Sequence, residues 1–392
     1  MNSLTLLLAA LIALATVGGV NYYLAKRCFQ CLSFLIPDSS LIPYLILFAV
    51  LSLLMFFGFI RSQLPIPAAA KHILAVISSY EMGFFAYFII FTVLSDIILL
   101  ILQWLNILSP ATPSLRFVSG IIVLALTIIT VGYGTYHGHQ LNIITYNVPI
   151  DEKTMNQDWN IVMISDLHLG AVDSEKRLSK IVDKINNLEP DLVCIAGDFF
   201  DNDFAAIKNP QKAIETLRQL KSEYGVYACL GNHDAGATVL QMQQFLGQCN
   251  IYLLNDTYKT VRNELVIVGR LDPSPINGYG GTELSRRNIS EVLSGTDPTL
   301  PIIVMDHNPA NIEEYGNEVD LILSGHTHRG QLFPGSLITK ALFTVDYGYY
   351  RKDAASPHVI VSSGVSTWGM PMRIGSDCEI VQIRLVNGCI SR

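Results

Sequence analysis

LILSGHTHRGQ, residues 321–331, joins a short apolar run to two histidines that lie one residue apart. Residues 321–324 read as a buried strand, a glycine begins the turn, and His326 and His328 follow. A hydrophobic core rarely takes two imidazoles at this spacing, because each buried ring needs hydrogen-bond partners. The stretch therefore predicts a strand that delivers two polar side chains to a site at its carboxyl end.

Similar apolar runs recur through the second part of the chain, each short enough for a strand buried on both faces. They are NIVMIS (160–165), DLVCIAG (191–197), GVYACL (225–230), ELVIVG (264–269) and PIIVMD (301–306), with HVIVSS (358–363) and CEIVQIRL (378–385) further on. Two amphipathic stretches between them, residues 174–188 and 210–222, predict helices. Alternation of strand, turn and helix predicts an α/β domain.

Polar residues follow five of these runs at the point where each strand should end. They are Asp166, His168, Asp198, Asn232, His233, Asp234, Asp306, His307, His326 and His328. Ligands of α/β sheets bind beyond the carboxyl ends of the strands. Imidazole, carboxylate and amide oxygen together suit a divalent transition metal such as Mn, Fe, Zn or Co. We expect a shared carboxylate between two metal ions, and Asp198, alone in its turn, is the natural bridge.

The ordered set DxH, GD, GNHD, a lone His and GHxH resembles the calcineurin-like metallophosphoesterase superfamily over roughly residues 158–385. The ending VSSGVSTWGMPMRIGS (361–376) is similar to the membrane-attached bacterial branch that is related to the phosphodiesterase YaeI. The resemblance implies two β-sheets packed face to face with helices outside, a four-layer αββα sandwich. It also implies a hydrolase that needs two divalent or transition metal ions.

By this resemblance, Asp166, His168, Asp198 and His328 would hold one metal, and Asp198, Asn232, His307 and His326 the other. A metal-bridging hydroxide would then break the P–O bond without a protein nucleophile. We expect His233 to act as the catalytic proton donor. Asp234 either orients its imidazole or begins a helix.

The first part of the chain contains four apolar runs, each long enough to cross a bilayer as a helix. They are residues 4–25, 41–60, 73–102 and 117–136. The first run has no basic residue before it and a basic pair after it, which favours a retained span over a cleaved signal peptide. We therefore predict a transmembrane region over residues 1–140 and a metallophosphoesterase domain over 141–392. Glu81 and Asp96, inside the third run, are either functional or close to an interface.

The charge of the chain is divided between these two parts. Residues 1–150 hold five Lys and Arg against three Asp and Glu, a net charge of +2, and since the whole chain carries −7, residues 151–392 carry −9. An acidic domain argues against a nucleic-acid substrate, because polyanions bind basic surfaces. An integral multi-pass protein of the cell membrane suits a phosphorylated lipid or a nucleotide-linked lipid as substrate.

Two alternatives stay open. In the first, the substrate is a soluble phosphodiester or monoester and the spans are an anchor. In the second, the spans work as a transporter or sensor and the phosphoesterase domain regulates them. Basic residues flank the two sides of the spans equally, and the pair Lys26 and Arg27 after the first span favours an extracytoplasmic domain.

Overall fold

The computed structural model describes residues 3–109, 112–150, 153, 155–172, 174–280 and 284–388. The chain forms two compact units that divide between Tyr133 and Gly134. The predicted boundary after residue 140 stays a prediction.

The first unit consists of four apolar helices. They are α1 (Ser3–Leu32), α2 (Ile42–Phe59), α3 (Ala68–Trp104) and α4 (Pro113–Gly138), and the last five residues of α4 belong to the second unit. All four are long and apolar enough to cross a membrane. Many of their large apolar side chains are exposed, as expected for helices whose solvent is lipid. The four predicted spans coincide with these helices.

The two carboxylates of the third apolar run have different surroundings. Asp96 lies 2.6 Å from the guanidinium of Arg27 on α1 and accepts a hydrogen bond of 2.5 Å from the Tyr23 hydroxyl. This ion pair links α1 to α3. A charged side chain among apolar helices is stabilised by a partner of opposite charge. Glu81 lines a cavity of about 440 Å³ between aromatic side chains, which include Tyr80 and Phe84.

Two six-stranded sheets form the second unit. The first sheet has the spatial order β1 (Asn142–Ile150), β12 (Glu379–Asn387), β2 (Trp159–Ile164), β3 (Leu192–Ala196), β4 (Val226–Cys229) and β5 (Ile251–Leu253). The second has the order β10 (Gly348–Tyr350), β11 (His358–Val361), β9 (Leu321–Ser324), β8 (Ile302–Met305), β7 (Leu265–Gly269) and β6 (Thr257–Val261). Strands β2 to β5 run parallel, as do β7, β8, β9 and β11.

Apolar side chains fill three layers around these sheets. Met163, Ile267 and Ile303 belong to the core between the two sheets. A second core covers the outer face of the first sheet with α5 (Ser174–Asn186), α6 (Pro210–Leu217) and α7 (Val239–Gln248), and a third covers the second sheet with α8 (Ile289–Leu293). The predicted four-layer αββα architecture is confirmed. The central strands are buried at every position, because successive side chains face opposite layers and both layers are packed.

The order of the first sheet places its last strand in sequence beside its first. β12 pairs in parallel with β1 over nine residues and antiparallel with β2. The sequence pattern identified β2 and β12 but not β1, whose exposed and half-buried residues alternate without a clear apolar run. One further helix, α9 (Gly335–Leu342), follows the turn after β9.

Candidate metal centre

Five turns at the carboxyl ends of strands bring the predicted site residues together. The turns follow β2, β3 and β4 in the first sheet and β8 and β9 in the second. The strands are parallel within each sheet, so their carboxyl ends lie on one edge. All seven predicted ligands lie at this edge, and all but His326 are buried.

Asp166, His168 and His328 form one group of possible ligands. The Nε2 atoms of His168 and His328 are 3.0 Å apart. Asp166 Oδ1 lies 3.3 Å from His328 Nε2 and 3.9 Å from His168 Nε2. These nitrogen and oxygen atoms converge on one point.

Asp198, His307 and His326 form a second group. His307 Nε2 lies 3.1 Å from Asp198 Oδ2, and His326 Nδ1 lies 2.9 Å from the side-chain oxygen of Asn232. The rings of His307 and His326 are 5.2 Å apart and almost perpendicular. The second group therefore contains two imidazoles, a carboxylate and an amide oxygen.

Asp198 lies between the two groups. Its Oδ2 is 3.1 Å from His307 Nε2 in the second group and 3.8 Å from His168 Nε2 in the first. Its Oδ1 accepts a hydrogen bond of 2.9 Å from the backbone N–H of His233. Asp198 therefore faces an imidazole of each group.

The backbone at the site is strained. Asp166, His168, Asp198, His326 and His328 all have positive φ, between 45° and 73°. Residues with a side chain rarely adopt this left-handed conformation, which costs of order 1–3 kcal/mol each and persists only where the surrounding structure enforces it. The strain turns five of the seven predicted ligands toward the same point.

Two glycines make room for this arrangement. A Cβ atom on Gly325 would collide with the carboxylate of Asp166, and one on Gly231 would collide with Asp198. The glycines of the GHTH and GNHD motifs thus allow two turns to pack directly against the acidic residues.

Burial sets the protonation state of most imidazoles at the site. It lowers the pKa of His168 to about 3 and that of His326 to about 4. Burial and the neighbouring Arg373 also lower the pKa of His328 well below its usual value. Neutral imidazole is the form that binds metal, so these three rings have the right protonation state.

The pKa values of the two central carboxylates, Asp166 and Asp198, are shifted in opposite directions. Burial raises the pKa of Asp166 to about 6. Burial also acts to raise the pKa of Asp198, but the adjacent His307 outweighs it and holds that pKa well below its usual range. Asp198 is therefore charged at neutral pH, as a bridging ligand must be.

The donor atoms fit two divalent cations. His307 Nδ1 lies 2.9 Å from the carbonyl oxygen of Ala196, which can only accept a hydrogen bond. Burial acts to lower the pKa of His307, but the adjacent Asp198 outweighs it and raises that pKa well above its usual value. With Nδ1 donating to Ala196, His307 Nε2 holds a proton toward Asp198, and a metal ion bound there would take the place of that proton. The Nε2 atoms of His168 and His328, 3.0 Å apart, are close enough to form an N–H···N hydrogen bond or to bind one cation.

His233 adjoins the first group without belonging to the seven predicted ligands. Its ring lies 5.1 Å from that of His168 and 5.5 Å from that of Trp368. Its Nδ1 has no hydrogen-bond partner in the described part of the chain. Asp201 lies in reach of both His168 and His233 as a possible third ligand. Trp368 is a neighbour of the site that the sequence indicated only through the similarity of residues 361–376 to the membrane-attached branch.

The contacts of Asp234 do not support orientation of the His233 ring. Its two oxygens accept hydrogen bonds from three backbone N–H groups, those of Phe199, Phe200 and Gly231. Asp234 thus ties the turn after β3 to the turn after β4. The catalytic role expected for Asp234 stays a prediction, and the contacts described here give it a positioning role between the two turns.

Two arginines and one aspartate near the site have structural partners. Arg286 lies 2.7 Å from both Asp306 and Glu314, so its guanidinium has acidic partners within the domain. Asp306 also accepts a hydrogen bond of 2.5 Å from Tyr315. Arg373 is fully buried, and its Nη1 donates to the carbonyl oxygen of His328 at 2.7 Å.

Comparison with known proteins identifies the same domain. The family described as calcineurin-like phosphoesterase matches residues 159–330. A metallophosphoesterase of Aquifex aeolicus is 30% identical over 64% of this chain and 95% of its own length. One from Helicobacter pylori strain J99 is 30% identical over 61% of this chain, which spans 62% of that relative's length. A zebrafish (Danio rerio) protein named transmembrane protein with metallophosphoesterase domain is 29% identical over 70% of this chain and 64% of its own length.

Proposed function

The chain belongs to the calcineurin-like metallophosphoesterase family, and on that premise we propose that it hydrolyses a phosphoester of a membrane lipid with two metal ions. The observation that carries the hydrolytic part of the proposal is the position of Asp198. Its Oδ2 faces His307 in one group of ligands and His168 in the other. A single carboxylate is thereby shared by two sets of donors.

In this proposal Asp166, His168, Asp198 and His328 hold one ion, and Asp198, Asn232, His307 and His326 hold the other. Two such ions would supply an activated water and positive charge for the phosphoryl oxygens. The mixture of imidazole, carboxylate and amide donors suits Mn, Fe, Zn or Co as the metal.

His233 is the proton donor of the proposal. Its backbone is fixed by the bond from its N–H to Asp198, which holds its ring beside that of His168. Because its Nδ1 has no hydrogen-bond partner among the described residues, the ring is not committed to a structural contact there. A leaving-group oxygen above the metal site could receive its proton.

The lipid part of the proposal is supported by the four candidate spans. One span is sufficient to anchor a domain, and the acidic charge of residues 151–392 does not suit a polyanionic substrate. A phosphorylated lipid or a nucleotide-linked lipid has a headgroup that reaches the site while its acyl chains stay in the bilayer. We place the catalytic domain on the extracytoplasmic side, from the basic pair Lys26 and Arg27 after the first span.

Metal analysis tests the hydrolytic part. We expect the purified full-length protein to contain about two transition-metal ions per chain. Chelation should abolish hydrolysis of a chromogenic phosphodiester, and added Mn²⁺ or Zn²⁺ should restore it. Full activity of a metal-free preparation in chelator would refute the proposal.

A further inference from the structure

Helix α9 (Gly335–Leu342) presents its apolar side chains to the outside of the second unit. Leu337, Ile338 and Leu342 are 60%, 61% and 73% exposed. Of the eight residues of α9, all of which the structure describes, none is buried. A surface helix of a soluble domain normally turns its apolar stripe toward the core. In α9 the stripe is turned away from the core.

The exposed side chains share one face of the helix. At about 100° per residue, Leu337, Ala341, Ile338 and Leu342 cover an arc of about 140°. Thr339 lies on the opposite side, where its hydroxyl donates a hydrogen bond of 2.8 Å to Asp346. The polar side of α9 is therefore held against the domain and the apolar side is left outward.

α9 adjoins the segment on which the last turn of α4 packs. The N–H of Phe333, two residues before α9, donates to the carbonyl oxygen of Ile374 at 2.7 Å. The next residue back, Arg373, donates its N–H to the carbonyl oxygen of Gly134 at 2.9 Å. A side chain on Gly138 would meet the backbone of Met372. All these residues belong to the second unit. The end of a candidate span and the residue Phe333 just before α9 therefore contact the same segment, residues 372–374.

The end of α4 has the composition of a membrane interface. Tyr136 is exposed there, and tyrosine is enriched at the level of the lipid headgroups. Lys340 is exposed in the last turn of α9, where its ammonium can reach lipid phosphates. Apolar side chains on one face with a basic residue beside them are typical of helices that lie in the interface.

α9 is also connected to the metal centre. Thr327, between the two histidines of GHTH, donates a hydrogen bond of 2.6 Å to the backbone carbonyl of Asp346, the same residue that holds Thr339. Phe343, next after α9, has its ring 6.0 Å from that of His326. Binding of α9 to a surface would therefore also bring the turn that contains His326, at the edge of the metal centre, close to that surface.

We propose that α9 lies in the lipid–water interface, with Leu337, Ile338 and Leu342 among the acyl chains, and thereby seats the metal centre at the surface of the bilayer. The lipid bilayer is the occupant of this face because a candidate span of the same chain ends on the adjoining segment. The inference goes beyond the proposed function, since it does not depend on which ester is hydrolysed.

Photocrosslinking in the full-length protein tests it. p-Benzoylphenylalanine replaces Leu337, and the protein is placed in nanodiscs of phosphatidylethanolamine and phosphatidylglycerol. Irradiation should give lipid adducts at this position that mass spectrometry detects. The matched control is the same replacement of Leu240 on α7, which is 56% exposed and should give none. Replacement of Ile98 in the span α3, 55% exposed, confirms that the probe captures lipid.

Lipid adducts at 337 and 98 with none at 240 support the proposal. Adducts at 98 alone would overturn it. Crosslinks from 337 to a second copy of the chain or to another protein, in place of lipid, would also overturn it and identify a protein interface. The crosslinking experiment does not depend on hydrolysis. An inactive preparation would count against the proposed function but would not change the interpretation of the lipid adducts.

Discussion

Asp198 is the carboxylate that faces an imidazole of both groups of ligands. Oδ1 accepts the N–H of His233, and Oδ2 faces the imidazoles of His307 and His168. Loss of one negative charge here removes a donor from both groups of ligands at once. Asp166 also contacts both groups, but its contact in the second is the backbone N–H of His326 and not an imidazole.

We expect Asp198→Asn to lose most of its bound metal together with its activity. Elemental analysis and hydrolysis of a chromogenic phosphodiester, measured on the same preparation, check this. Asp353→Asn is the control, because Asp353 is an exposed residue of a distant turn and its substitution should change neither quantity. Retention of two metal ions by Asp198→Asn would rule out the bridging role.

His233→Ala should separate metal binding from catalysis. We expect it to keep its metal content and to lose activity by about 10²–10⁴-fold on substrates with basic leaving groups. Esters with acidic leaving groups need little protonation and should be hydrolysed at nearly the original rate. Equal losses on both kinds of ester, or loss of metal, would contradict the assignment of His233 as proton donor.

At the scale of the elements, the turn after β9 depends on a segment about 45 residues later in the sequence. Arg373 donates to the carbonyl oxygens of His328, Ser363 and Ser366, at 2.7, 2.6 and 2.5 Å, from a fully buried position. Its Nη2 also lies 3.1 Å from His328 Nδ1. A planar guanidinium can serve several carbonyl groups at once, whereas the ammonium of lysine cannot match that geometry.

Arg373→Lys should therefore weaken metal binding although it keeps the positive charge. Substitution of groups that orient metal ligands typically costs 10–100-fold in metal affinity, and we expect a loss in that range. Competition with a chelator measures it. Arg351→Lys is the matched control, since Arg351 also donates to backbone carbonyls, those of Ala354 and Ser356, but away from the site. Equal metal affinities for the two variants would contradict a positioning role for Arg373.

The ordered motifs at the strand ends were sufficient to predict the family, the four layers and the gathering of Asp166, Asp198 and His328 at one edge. The branch related to YaeI and the assignment of individual ligands stay predictions. The bonds of Arg286 to Asp306 and of Asp234 to backbone amides could not be predicted, because they depend on tertiary contacts between residues far apart in sequence. Left-handed φ at the ligands could not be assigned from residue type, because Asp and His are only enriched in this conformation and adopt it where the surroundings enforce it.

The sequence pattern also did not predict β1 or the outward apolar face of α9, and each omission has a physical reason. β1 has a mixed pattern because several of its residues remain exposed at the edge of the sheet. α9 has an apolar face that periodicity alone would assign to a core. Only the three-dimensional contacts show that this face is outward.

At the scale of the whole molecule, the spans and the metal centre should act on the same substrate. If acyl chains are held at the protein, each buried CH₂ contributes about 0.8 kcal/mol. Three or four methylenes would then raise kcat/KM roughly a hundredfold over the soluble headgroup analogue. Hydrolysis of both compounds by the full-length protein in nanodiscs measures this ratio.

Equal kcat/KM values for the lipid and its headgroup analogue would refute the lipid substrate. The soluble ester would then be the better substrate class, with the spans as anchor. A chromogenic diester serves as internal control, because it shows that the metal centre is intact in both measurements.

The insertion of β12 between β1 and β2 has a consequence for biosynthesis. The strand that directly follows α4 finds its only partner of the described sheet in residues 379–387, more than 200 positions later. A nascent chain must therefore keep β1 unpaired until almost all of the domain has left the ribosome, and contacts so distant in sequence form slowly.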